Sequence, residues 1–141
     1  MSMHSKVLVS LSVLSAMLPG PTPQTFRAAA TQAIFHGKHY SRVEVHLEGA
    51  RPMLKDPATA SADELRAVWG PFVAEAGTFE VTGKDVVTMQ AMVAKNPAAM
   101  TNGATSAYTY QRSGDTLTLT QTRTPSGPSA MPVTIKLARV E

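Results

Sequence analysis

The residues able to do chemistry in this chain are few. They are three neighbouring histidines, several cations set among apolar alternation, a pair of tyrosines and scattered carboxylates. His36, His39 and His46 lie close in sequence, as metal ligands often do. On a strand, however, only residues of equal parity share a face, and His39 and His46 differ in parity. No carboxylate is spaced to complete a ligand set, so no metal is expected. Asp56 and Asp63 fall in a loop and at a helix start, where capping accounts for them. There is no Gly-x-Ser-x-Gly elbow and no glycine-rich phosphate loop. The absence of cysteine excludes disulfides, thiolate zinc sites and a cysteine nucleophile. No cofactor is expected.

The elements that must position these residues are mostly strands. Val9, Leu11 and Val13, within the apolar run that starts at Val7, alternate with Ser10 and Ser12, the period-2 pattern of a half-buried strand. The same run, after Lys6 and before Ala28-Ala29-Ala30, is close to a signal peptide. The strand reading is preferred, because a signal core has no reason to alternate. It places the chain in the cytoplasm; a cleaved signal over residues 1–30 would place it in the periplasm or outside the cell. Pro19 to Thr25 reads as a connector, followed by a short apolar piece at Ala33-Ile34-Phe35 and a tight turn at His36-Gly37-Lys38.

His39 to Leu47 alternates again. Ser61-Ala-Asp-Glu64 is a capping box that opens a short helix around residues 61–75, with Leu65, Val68, Trp69 and Phe72 along one face. Pro71 should kink or divide it. Trp69 is expected to cover one end of the fold. Further strands follow at Thr78–Thr82, Asp85–Ala94, Ala104–Arg112, Thr116–Arg123 and Val133–Val140, with Gly83-Lys84 and Ser113-Gly114-Asp115 as turns. Residues 124–131 read as loop.

Eight strands joined mainly by tight turns predict an eight-stranded, up-and-down antiparallel barrel with one short helix. Closure removes exposed edges, which argues for keeping Val7–Val13 as its first strand. Residues that share parity with the apolar set should face inward. They are His39, Ser41, Val43, Val45 and Leu47; Val87, Met89, Ala91, Val93 and Lys95; Ser106, Tyr108, Tyr110 and Arg112; Leu117, Leu119, Gln121 and Arg123; and Val133, Ile135, Leu137 and Arg139. The lumen is then apolar at one end and polar at the other. The polar set is His39, Lys95, Arg112, Gln121, Arg123 and Arg139, with no carboxylate.

The chain's 141 residues make one domain, since two would each hold too small a core. Thirteen Lys+Arg against ten Asp+Glu leave +3, without any basic cluster, so a nucleic-acid partner is not expected. The apolar run near the N-terminus is too short to span a membrane.

Several segments together resemble the bacterial lipocalin-like domain family. They are Phe35-His-Gly-Lys-His39-Tyr40-Ser41, Ala50-Arg51-Pro52, Ala76-Gly77-Thr78-Phe79-Glu80-Val81, Val93-Ala94-Lys95-Asn96-Pro97, Gly114-Asp115-Thr116-Leu117-Thr118-Leu119 and Lys136-Leu137-Ala138-Arg139-Val140-Glu141. The resemblance implies a calycin barrel and little specific chemistry. Lipocalins open with Gly-x-Trp, the tryptophan packing against an arginine of the last strand. Arg139 matches that arginine, but the single tryptophan here is Trp69.

Three function classes follow. The first is binding of a small apolar or amphipathic molecule with an acceptor or anionic head, inside the barrel. Its candidate site is His39, Ser41, Val43, Met89, Lys95, Tyr108, Tyr110, Leu117, Gln121, Arg123, Ile135 and Arg139. The second is a cofactor-free cyclase or isomerase with His39, Tyr40 or Lys95 as acid/base. The third is a structural barrel with a filled core. Interior volume discriminates the first two from the third.

Overall fold

The computed structural model describes residues 23–28, 30–47 and 49–140. Its strands are β1 (Gln24–Ala28), β2 (Thr31–His36), β3 (His39–Val45), β4 (Phe72–Val81), β5 (Val86–Ala94), β6 (Ser106–Ser113), β7 (Thr116–Thr124), β8 (Gly127–Pro128) and β9 (Thr134–Arg139). Helix α1 covers Ala62–Trp69, and a single 3-10 turn covers Pro97–Met100. All strand pairs are antiparallel. Eight strands close in the order β1-β2-β3-β4-β5-β6-β7-β9, with β9 returning to β1. β9 pairs with Thr116–Thr120, and the two-residue β8 takes over the same edge of β7 at Arg123 and Thr124. This is the expected barrel.

Its first strand is not the expected one. Val7–Val13 lies outside the described residues. The barrel closes through Gln24–Ala28, which begins at the end of the expected Pro19–Thr25 connector and was not expected to be a strand. Only Phe26 in this strand is a large apolar residue facing the core, so five residues show no readable period. Phe26 is fully buried, pairs in register with Arg139, and carries the Arg112 guanidinium 5.4 Å above its ring. An aromatic on the first strand thus does meet an arginine, but the aromatic is phenylalanine and the stacked cation comes from β6.

The two ends of the barrel differ because their connections differ. One end carries the tight turns at Gly37, Gly83 and Gly114, where Gly37 and Gly114 adopt positive φ. The other end, the mouth, carries the long connections 46–71, 95–105 and 125–133. The core fills the hairpin end. Phe26, Phe35 and Phe79 meet edge to face, with centroids 6.1 and 5.2 Å apart, among Val87, Tyr110, Leu117 and Leu137. Arg112 lids that end, donating to Gly114 O at 2.9 Å and Gln24 Oε1 at 3.3 Å.

The helix is shorter than expected. The capping box forms: Ser61 Oγ accepts from Glu64 N–H at 3.2 Å, and Glu64 Oε2 accepts from Ser61 N–H at 2.7 Å. The helix stops at Trp69. Pro71 follows, and Phe72 already opens β4, opposite Val45. No residue of α1 is buried, and Trp69 is half exposed, so it does not plug the barrel. Among the described residues, no helix is long and apolar enough to cross a membrane.

Candidate functional site

The mouth holds a buried polar cluster built from four strands, β3, β4, β6 and β7. On β3 the inward face is Tyr40, Arg42 and Glu44. On β4 it is Glu75, Gly77 and Phe79, with Glu75 directly opposite Arg42 in register. Tyr108 arrives from β6 and Gln121 from β7, also register partners. Arg42 Nε donates to Glu75 Oε1 at 2.9 Å, and its Nη1 donates to Glu44 Oε1 at 3.1 Å and to the Tyr108 hydroxyl. Tyr40 Oη donates to the same Glu75 oxygen at 2.9 Å. Gln121 Nε2 donates to Tyr108 Oη at 3.2 Å. His46, at the rim, places Nε2 at 2.6 Å from Glu44 Oε2.

Every strong charge in this cluster is paired, as burial requires. Burial alone would weaken the Arg42 proton. The phenolic Tyr108 and the carboxylates Glu44 and Glu75 outweigh it, and the guanidinium is held above its ordinary range. Burial and the adjacent Glu75 push Tyr40 well above the ordinary phenol value. Burial likewise raises Tyr108, against the opposing pull of Arg42. All three groups keep their protons at neutral pH.

Open space lies over this cluster, not beneath it. Deep in the barrel, the void among Phe35, Tyr40, Met89, Leu119 and Leu137 is about 10 Å³, room for no more than one water. At the mouth, a cleft of about 480 Å³ is bounded by Phe72, Val73, Ala99 and Pro125, with Arg42, Glu75, Lys95 and Gln121 as its polar groups. A recess of about 130 Å³ adjoins it, between Glu44, His46, Tyr108 and Ile135. Larger than either is a groove of about 590 Å³ on the outside of β4 and β5, lined by Thr78, Glu80, Thr88 and Gln90. It touches none of the buried polar cluster.

Helix α1 frames the cleft through its C-terminal end. Lys95 Nζ donates to Phe72 O at 2.8 Å and to Trp69 O, while Arg51 Nη1 donates to Val68 O at 3.1 Å. Both cations lie over the Phe72 ring, Lys95 at 5.9 Å and Arg51 at 5.2 Å from its centroid. Cations at the last helical carbonyls also suit the helix dipole.

The expected site residues scatter in four ways. Met89, Tyr108, Tyr110, Leu117 and Ile135 do point inward, and the first four are core. Lys95 and Gln121 reach the cleft. His39, Ser41 and Val43 do not face inward: the parity of β3 is the reverse of that expected, and Val43, like Leu47 just beyond the strand, is exposed. The physical reason is that Arg42 and Glu44 neutralise each other and find Glu75 across the ladder, so the charged face can turn in. The expectation of an interior without carboxylates is corrected for the same reason.

Arg123 is corrected by a bulge. Tyr108 pairs with Gln121 but Ala107 with Arg123, so Thr122 is an extra residue and the parity flips. Gln121 faces in and Arg123 is exposed. A second bulge, at Met92, turns Val93 outward in the same manner. His39, Arg112 and Arg139 stand at the hairpin end, so the expected polar set is divided between the two ends. The three candidate acid/bases do not converge either. His39 is exposed at the far end, Tyr40 is bound to Glu75, and Lys95 is bound to two carbonyls.

Arg42, Glu44 and Glu75 were not among the expected site residues. A signal existed for two of them: Arg42-x-Glu44-x-His46 sets alternating charges on one strand face. Glu75, within the expected helix, gave none. Compared with protein-family models, curated proteins and solved structures, the chain matches none.

Proposed function

We propose that this chain is a lipocalin-like barrel that binds a small apolar or amphipathic molecule, held at the mouth above the filled core. The observation that carries this reading is the cleft of about 480 Å³, apolar on several sides and supplied with a few convergent polar groups. Ligand sites generally combine those features, at volumes of roughly 300–1,000 Å³. The closed eight-stranded antiparallel barrel supports the calycin part of the reading, as do the segments resembling bacterial lipocalin-like domains.

The test is a titration with Nile red, a neutral apolar probe, alongside native mass spectrometry of the protein as purified. One probe per chain is expected, with emission shifted to the blue. Ala99 is buried at the edge of the cleft, and Ala99→Phe should fill it and abolish binding. Equal probe affinity in a cooperatively folded Ala99→Phe protein would show that the cleft is not the site.

A further inference from the structure

We propose that the recess at the mouth carries out proton transfer at a carbon next to a carbonyl, with His46 as the base and Tyr108 as the donor that holds the carbonyl oxygen. The proposal rests on the reading that the mouth takes a small apolar molecule, and adds a reaction to it.

The two side chains stand at the ends of one hydrogen-bonded chain around the recess. Tyr108 Oη accepts from Arg42, Arg42 Nη1 donates to Glu44 Oε1 at 3.1 Å, and Glu44 Oε2 lies 2.6 Å from His46 Nε2. His46 is fixed at the rim by its backbone N–H, which donates to Pro71 O at 2.8 Å. A carboxylate can only accept, so the proton of a neutral His46 sits on Nε2 and the lone pair on Nδ1. That Nδ1 has no partner among the described residues. Tyr108 Oη also accepts from Gln121 Nε2 at 3.2 Å. Both of its partners are donors, so its own proton is left to give. The adjacent guanidinium polarises that O–H bond.

The recess joins an open base to an open donor, and the neighbouring groups do not. Glu44 lines it too, but both of its oxygens are engaged. Glu75 has an open Oε2, yet it lines the cleft and not the recess. Tyr40 gives its proton to Glu75. The rest of the wall includes Val73, Val133 and Ile135, apolar surroundings in which a hydrogen bond to a developing oxyanion counts for more than in water. The volume of about 130 Å³ has room for a ring-sized ketone.

A β,γ-unsaturated ketone needs nothing further to react. With its oxygen on Tyr108, His46 Nδ1 takes a proton from the carbon between the carbonyl and the double bond. The C–H electron pair becomes the new double bond of a dienolate, whose negative oxygen is held by the Tyr108 O–H. The imidazolium is held against Glu44. It returns the proton to the far carbon of the original double bond, and the α,β-unsaturated ketone results. Nothing is oxidised or reduced, and both side chains end as they began.

Cyclohex-3-enone tests this on the full chain at pH 7, read by the rise in absorbance as the conjugated enone forms. The unmodified protein should accelerate the conversion over buffer in proportion to its concentration. His46→Ala, at a half-exposed position, should fold normally and lose about 100-fold in kcat/KM, the low end for a general base. Added imidazole should restore part of that loss beyond its effect in buffer, which a structural role for His46 would not allow. Tyr108→Phe keeps the ring and should lose about 100-fold as well, as when one oxyanion donor is removed. It counts only if it melts cooperatively, and the His46 result decides without it. A rate no higher than buffer, or equal rates with and without His46, would overturn the proposal. So would a loss in Glu75→Gln with His46→Ala unaffected, since the base would then be the carboxylate of the cleft. Nile red binding without turnover would overturn this inference and leave the binding reading intact. Neither binding nor turnover would overturn both.

Discussion

Arg42 and Glu75 face each other across the β3–β4 ladder, and the guanidinium Nε reaches the carboxylate Oε1 at 2.9 Å. Both side chains are nearly nine-tenths buried or more. The pair does what neither strand could do alone, which is to let a charged face turn inward. Removing one partner of a buried pair leaves an uncompensated charge, at a cost of about 3–5 kcal/mol. Arg42→Met strands two carboxylates and should lower the urea-derived stability by that order. A change below about 1 kcal/mol, the range of exposed pairs, would mean that water already reaches Glu44 and Glu75.

Alkaline pH should unfold the barrel. The chain has three tyrosines, and burial raises all three, Tyr40, Tyr108 and Tyr110, above the ordinary phenol value of 10.0. Above pH 10 the unfolded chain releases these protons while the fold retains them. Stability is therefore full below pH 10 and falls as pH rises beyond it. Absorbance of ionised phenol should appear together with loss of β-sheet circular dichroism. Phenol ionisation near pH 10 with the sheet intact would contradict the burial of these hydroxyls.

Gly77 lies where β4 crosses the β5 bulge. A methyl group there would stand 2.0 Å from Gln90 O and 2.9 Å from Ala91 Cα, both backbone atoms that cannot step aside. Gly77→Ala should cost about 1–3 kcal/mol through overpacking. Gly83→Ala meets only the Val86 side chain, at 3.5 Å, and should be near neutral. Equal midpoints for the two variants in urea would refute the close crossing.

The helix should matter less than its cap suggests. Ser61→Ala loses the bond to Glu64 N–H, a change worth about 0.5–2 kcal/mol of helix stability. Since no residue of α1 is buried, much of that loss should appear as local fraying and not as global unfolding. Trp69→Ala should change global stability by less than about 0.5 kcal/mol, as for other surface positions. Phe26→Ala should cost about 3–5 kcal/mol. Thermal melts of the two variants side by side check the ordering.

The β-ladder closes within residues 24–139. A chain starting at residue 21 should therefore keep a cooperative transition. Loss of cooperativity would show that residues before Gln24 contribute to the barrel.

Much of this architecture was legible in the sequence. Alternation at Val87–Met89, Ser106–Arg112 and Leu117–Gln121 marked strands and their inward faces correctly, because there the apolar or aromatic set is the buried one. Turn residues and the Ser61–Glu64 box marked the breaks, since those signals are local in origin. Tertiary structure alone decided the rest. Alternation says that a strand has two faces but not which one turns in, and on β3 an ion pair with β4 reversed the hydrophobic rule. Bulges at Met92 and Thr122 shifted parity by one residue, an event set by the partner strand. Phe26 became the closing contact because β9 ends beside it. The Arg42–Glu75 pair joins residues 33 positions apart, and only the register of two folded strands could bring them together.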